Sequence, residues 1–204
     1  DEAVVKFNEA AELRLLRNEV GEAEKIVEQA RWLKGEDERT LTNLVEILKR
    51  SSRRQYAIEV VSEILTRDPG NANFLTMMGV LYLEDQDLGR AEELFARVAA
   101  EHPLETRARI KLGKVYVLQG RPEKALELFE PMIAGLIKKQ KADRAIGLLG
   151  IVLGGRDLYL PALERLAAVL KIANRKSHLE VAYRVMLQEA RARKLREKMF
   201  VALS

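Results

Sequence analysis

The sequence predicts an all-α fold, an α-solenoid (right-handed superhelix) in which about six helix-turn-helix units stack on one another. Three observations predict it. Leu, Ala, Glu, Arg and Lys, all strong helix formers, dominate a 204-residue chain holding only 12 glycines and 5 prolines. Four residues recur after thirty-four positions in mid-chain: Gly79 and Gly113, Tyr82 and Tyr116, Ala91 and Ala125, Phe95 and Phe129. Prolines fall at the ends of these periods, at Pro69 and Pro103, where a residue without an N–H stops a helix. Apolar residues make up 48% of the chain, enough for a sizeable core and too many for a disordered chain.

Placing the recurrent glycine at position 8 sets the register, so that units begin at Ala72 and Thr106. Small residues at positions 8 and 20 let two helices approach closely, and large residues at 11 and 24 fill the space around them. The pattern resembles the tetratricopeptide repeat (TPR) family, and the resemblance covers Glu38 to about Asn174 well and the ends loosely. One period back, 38–71 carries Leu41, Leu44, Val45, Ala57, Val61, Ile64 and Pro69. A further step back, 4–37 keeps Phe7, Ala11, Ala23, Val27 and Ala30 but has Arg14 where an aromatic is expected.

Forward of Thr106 the period breaks. A unit at 143–176 reads well, with Ile146, Leu149, Gly150, Ala162, Leu166 and Val169 in register, so the unit 106–142 carries three extra residues. It also holds Pro131 within its second helix, and a kinked, lengthened helix is expected there. The glycines at 147, 150, 154 and 155 read as close packing or local flexibility, with Gly154 to Asp157 forming the turn. The remaining 177–204 forms either a helix pair or one long capping helix. The six units 4–37, 38–71, 72–105, 106–142, 143–176 and 177–204 make a single solenoid domain. Opening on Asp1, it is expected to be an excerpt of a longer protein.

Several chemistries are set aside by composition. Without cysteine there is no disulfide, thiolate nucleophile or thiolate metal site, and two histidines, His102 and His178, make no multi-histidine centre. No acid pair has the pattern of a catalytic dyad, the glycines lack the Lys and hydroxyl residue of a phosphate loop, and no catalytic residue, cofactor or metal is expected. The longest apolar run, Ala145 to Leu153, is about half of what a membrane span needs. Trp32 reads as a packing residue. Nothing here addresses the chain to a compartment, with the cytoplasm as the default.

The resemblance implies a concave groove lined by the first helix of each unit, at positions 2, 5, 9, 12 and 13. The candidate partner-binding residues are Asn73, Thr76, Val80 and Leu83, then Arg107, Ile110, Lys114, Val117 and Leu118, then Arg144, Ile151 and His178. In the first two units the same positions hold Glu12, Arg39, Thr42, Glu46, Lys49 and Arg50. One TPR subclass, the co-chaperones that hold the acidic carboxyl terminus of heat-shock proteins, uses a two-carboxylate clamp. Here only Asn43 fits that clamp, and Thr42, Glu46, Thr76 and Val80 have the wrong chemistry for it. The expectation is a non-enzymatic scaffold or adaptor that binds a peptide or amphipathic helix of a partner protein within a multiprotein assembly.

Charge is lopsided. Residues 1–100 hold 14 basic and 20 acidic side chains, a net of −6, and residues 101–204 hold 21 and 11, a net of +10. The densest run is Arg191, Arg193, Lys194, Arg196 and Lys198, a candidate electrostatic docking site whose plainer reading is a solvated helix face. The alternative function is that this basic third binds nucleic acid or another acidic surface. Only Phe200 stands near it as a stacking aromatic, which makes nucleic acid the weaker reading.

Overall fold

The computed structural model describes residues 2–155 and 158–203, with side chains as far as residue 194. Among these residues the chain is all α-helix, paired into helix-turn-helix hairpins of the α-solenoid kind. The hairpins are α1 (Glu2–Leu16) with α2 (Val20–Leu33), α3 (Glu38–Arg50) with α4 (Arg54–Arg67), and α5 (Ala72–Glu84) with α6 (Leu88–Glu101). They continue as α7 (Thr106–Leu118) with α8 (Pro122–Lys138) and α9 (Ala142–Leu153) with α10 (Leu160–Ile172), closed by α11 (Lys176–Leu203). The last segment is therefore one helix and not a pair. The chain divides into two compact units, Asp1–Glu105 with α1–α6 and Thr106–Ser204 with α7–α11.

The repeat positions explain the hairpins. The alanines at position 20, namely Ala23, Ala57, Ala91, Ala125 and Ala162, are all fully buried, as close helix approach requires. A Cβ added to Gly79 would meet the ring of Phe95 at 2.7 Å, and one on Gly113 would meet Phe129 closer still. Each glycine thus makes room for the fully buried phenylalanine of its own hairpin. The tyrosine at position 11 has a second use: Arg90 lies over the Tyr82 ring at 4.1 Å, and Lys124, at the same repeat position, lies over Tyr116 at 5.9 Å.

The turns within hairpins share one device. In the first four of the five hairpins, Asn18, Ser52, Gln86 and Gly120 have positive φ, and the amide following each bonds back to a carbonyl five residues earlier, as Asp87 does to Tyr82 at 2.9 Å. That is a left-handed helix stop. In unit 1, Asp37, Asn71 and Asp87 cap α3, α5 and α6 by accepting backbone N–H bonds. Asp37 also anchors a buried polar chain: Asn8 donates to Asp37 (3.1 Å) and Thr40 (2.9 Å), and Asn43 donates to Asn8 (3.1 Å). These amides satisfy each other and fix how α3 meets α1.

The break in period has a simple cause. Pro69 and Pro103 follow helices that end at Arg67 and Glu101, whereas the equivalent position after Thr106 is Ile137. With no proline to stop it, α8 runs to 17 residues against 14 for α6. It ends in the tighter hairpin device, with Gln140 at φ 56° and Lys141 bonded back to Leu136 at 2.9 Å.

Two sequence expectations are corrected. Trp32 does not pack: it is 86% exposed, over a shallow apolar recess with Phe7 and Leu33. Gly150 and Gly147 are not close-packing glycines, since a Cβ on either meets nothing within 4 Å. Opposite Gly150 the position-24 residue is the partly buried Leu166, with no aromatic ring to accommodate. The expected turn extends to Arg156 and Asp157, which lie outside the described residues.

Candidate functional site

The first-helix stripes read as a groove differ between the two units. In unit 1 they are satisfied internally. Arg39 grips Glu12 with two bonds of 2.6 and 2.8 Å, and that guanidinium holds the Glu12 carboxyl below its usual range. Lys49 pairs with Glu46 at 3.1 Å and Glu84 at 3.3 Å, while Arg50 pairs with Glu46 at 2.7 Å. Burial works to raise the Glu46 carboxyl, and the bonds from Arg50 and Lys49 outweigh it, so it sits low. Asn73 donates to Glu38 and Thr42, and the Thr76 hydroxyl bonds back to the carbonyl of Ala72. Val80 is half-buried and Leu83 is only 8% exposed.

In unit 2 the stripes are open. On α7, Arg107, Ile110 and Lys114 share one face by their three- and four-residue spacing, with both cations exposed and Ile110 half-buried. Val117, next along the stripe, is 8% exposed and belongs to the core, so like Leu83 it is a wall and not a contact. Leu118 is 49% exposed. On α9, Arg144 is exposed and Ile151 half-buried.

These stripes border a cavity of about 660 Å³ within unit 2. It is lined by Ile110 of α7, Met132 and Leu136 of α8, and Leu148 and Ile151 of α9. Lys139 and Arg144 stand at its rim, and no acidic side chain lines it. Two lining residues, Gly135 and Gly147, are helical glycines whose missing side chains leave open space. The volume is that of an ordinary binding cleft.

Sequence reasoning found Ile110, Arg144 and Ile151 but missed the lining residues of α8. The family pattern assigns contacts to first helices alone, whereas Met132 and Leu136 belong to the second helix, α8. The signal was available in the three extra residues and in Pro131 and Gly135, four apart on the stripe that faces the cavity.

The outlying candidates do not join this site. His178 is exposed on α11, beside the Ser177 hydroxyl at 3.4 Å, and does not line the cavity. Arg191, Arg193 and Lys194 are exposed on the same helix, with Arg193 3.5 Å from Glu189. The side chains of Arg196, Lys198, Phe200 and Leu203 lie outside the described residues. Among the described residues no cluster of His, Asp or Glu could hold a metal ion, and no helix is long and apolar enough to cross a membrane.

Hairpin periodicity and fold together define a helical-repeat protein. Residues 82–134 match the tetratricopeptide repeat family, which establishes over that stretch the resemblance carried by Tyr82, Ala91, Phe95 and their partners one period on. None of the curated proteins is a significant match to the chain in sequence. Among solved structures, one from the functional characterization of Pseudomonas aeruginosa pilF is 18% identical, covers 100% of this chain and 99% of its own, and superposes with a TM-score of 0.58. A tetratricopeptide repeat protein from Parabacteroides merdae is 15% identical, covering 93% of this chain and 80% of its own with a TM-score of 0.53. At such identities these likenesses show the fold.

Proposed function

We propose that this protein is a non-enzymatic interaction module that holds a peptide or helix of a partner protein in the groove of unit 2, as a scaffold or adaptor within a multiprotein assembly. One observation carries the reading: an apolar cleft, open to solvent on three adjacent helices, whose rim cations have no ion-pair partner among the described residues. Exposed apolar surface is unfavourable in water, and a folded chain that keeps such a cleft gains when another apolar surface covers it. The satisfied stripes of unit 1 are scaffold in this reading.

Nucleic acid fits less well. It would be held by phosphate contacts and base stacking, whereas this cleft offers aliphatic side chains and no aromatic ring.

The test is affinity capture from the native cell with the wild-type chain and with Ile110→Glu/Ile151→Glu, both substitutions lying at half-buried positions. The expected result is a specific protein retained by the wild type and lost from the variant, at equal helicity by circular dichroism. Capture unaffected by the double substitution refutes the groove assignment.

A further inference from the structure

Resting on that reading, we infer that the occupant of the unit 2 groove is an amphipathic α-helix with acidic flanks: apolar residues at i, i+3 or i+4, and i+7 enter the cleft, and Asp or Glu on either side meet the rim.

The first argument concerns backbone. The cleft is walled by helices, and away from the helix ends and the carbonyl four residues before Pro131 their N–H and C=O groups are already used within α7, α8 and α9. The lining has no Asn, Gln or Ser, and its polar side chains are Thr106, Lys139 and Arg144. An extended peptide laid here would bury amides with almost nothing to bond them. A helix satisfies its own backbone and presents only side chains. The cleft therefore selects helix over strand.

The second argument concerns charge. Arg107 and Lys114 flank Ile110 on the α7 side, and Lys139 and Arg144 stand at the α8 and α9 rim. None of the four has an ion-pair partner among the described residues, in contrast to Lys49, Arg50 and Arg39 at the equivalent stripes of unit 1. Unit 2 as a whole holds 21 basic and 9 acidic side chains, a net of +12. Its acidic residues Asp143 and Glu130 are engaged elsewhere, with Arg175 and Arg165. Unpaired cations on both sides of an apolar cleft match a helix with carboxylates on both flanks, and they repel one with basic flanks.

The third is the pair of glycines. Gly135 and Gly147 sit inside helices, where glycine is unfavourable, yet neither makes a close approach nor has positive φ. Their one structural consequence is depth. Removing two side chains from facing helices lets a partner's larger side chains seat more deeply between them.

The experiment uses the 204-residue chain and synthetic peptides of about 16 residues, long enough for roughly four helical turns. One carries Leu at i, i+4, i+7 and i+11 with Glu on both flanks. A second replaces every Glu by Lys, and a third differs from the first only in two central prolines that forbid a helix. Fluorescence anisotropy reads binding, and sedimentation reads self-association. The expected result is saturable binding of the acidic helix, weakened about tenfold or more in the basic peptide and lost in the proline peptide. Arg144→Glu/Lys139→Glu should reverse the charge preference.

Gly147→Leu is the control for folding. It fills open space on a helix that gains propensity, so thermal stability holds or rises while binding falls. Equal binding of acidic and basic helices, equal binding of the proline peptide, binding indifferent to Gly147→Leu, or displacement of the peptide by self-association each overturns the proposal. If no peptide binds while native capture still depends on Ile110 and Ile151, the helix assignment fails and the groove stands. If capture is also independent of those residues, the groove reading fails with it.

Discussion

Glycine at the same repeat position has opposite meanings in different hairpins, and the difference is what lies opposite. At Gly79 and Gly113 a methyl group collides with a buried phenylalanine ring that has nowhere to go. Gly113→Ala is therefore expected to destabilise by about 1–3 kcal/mol through overpacking. At Gly150 the space is open, and Gly150→Ala should stabilise by roughly 0.5–1 kcal/mol, the helix propensity difference alone. Urea unfolding of the two variants measures both, and changes of the same sign would show that the packing at Gly113 is not what keeps it glycine. The carboxylate of Asp37 makes a second residue-scale case. Burial works to raise it, but the Thr40 backbone N–H, the Thr40 hydroxyl and the Asn8 amide all donate to it and hold it below its usual range. A carboxyl lowered in the folded state contributes its full stability above its unfolded value of about 3.9, and loses it as pH falls through the lowered folded value. Asp37→Ala should then cost about 0.5–2 kcal/mol at pH 7 and progressively less as the solution is acidified below about pH 4. A cost that stays constant from neutral to acid pH would mean that the charge of Asp37 does not contribute.

At the scale of elements, hairpin boundaries are legible wherever one residue type has one physical use. Pro69 and Pro103 stop helices because proline has no N–H to give, and Pro122 starts one because the first turn needs none. The register of the unit at 143–176 located the three extra residues from the sequence, and α8 is the lengthened helix expected. Turns built on Asn18, Ser52, Gln86 and Gln140 were less legible, because non-glycine residues hold positive φ there and no residue type announces it. Burial was legible only to the precision of the helical stripe. Leu83 and Val117 lie at the edge of their stripes, where a rotation of part of a turn separates wall from contact, and both fall on the buried side. Trp32 illustrates a different limit: aromatic residues usually pack, and its exposure depends on which neighbours flank α2, a fact of three dimensions. The α8 contribution to the cleft was invisible because Met132 and Leu136 read as core residues of a second helix. Only the coordinates show that the cleft reaches them.

At the scale of the whole chain, the division at Glu105 sharpens the charge asymmetry. Residues 1–105 hold 14 basic and 22 acidic side chains, a net of −8, against the +12 of the remainder. Stability in repeat arrays comes from contacts between neighbours, so a segment with its own core and capped helices can fold alone. One hydrophobic cluster, with Leu44, Val61 and Phe74 at its centre, lies wholly in unit 1, and another around Phe129, Ile133 and Leu149 lies wholly in unit 2. The caps and ion pairs of unit 1 likewise close within it, as Asp37, Asn71 and the Lys49–Glu84 pair show. A fragment 106–204 is accordingly expected to be helical and to retain groove-dependent binding of the partner. A fragment 1–105 is expected to fold and to capture nothing through its self-paired stripes. Because the rim cations are exposed, binding to 106–204 should weaken between low and physiological salt, as screened charges do when the Debye length contracts to about 8 Å. Circular dichroism and binding of the two fragments at two ionic strengths provide the measurement. Binding that resides in 1–105, or that is indifferent to salt in 106–204, would place the partner elsewhere than on the cationic cleft between α7, α8 and α9.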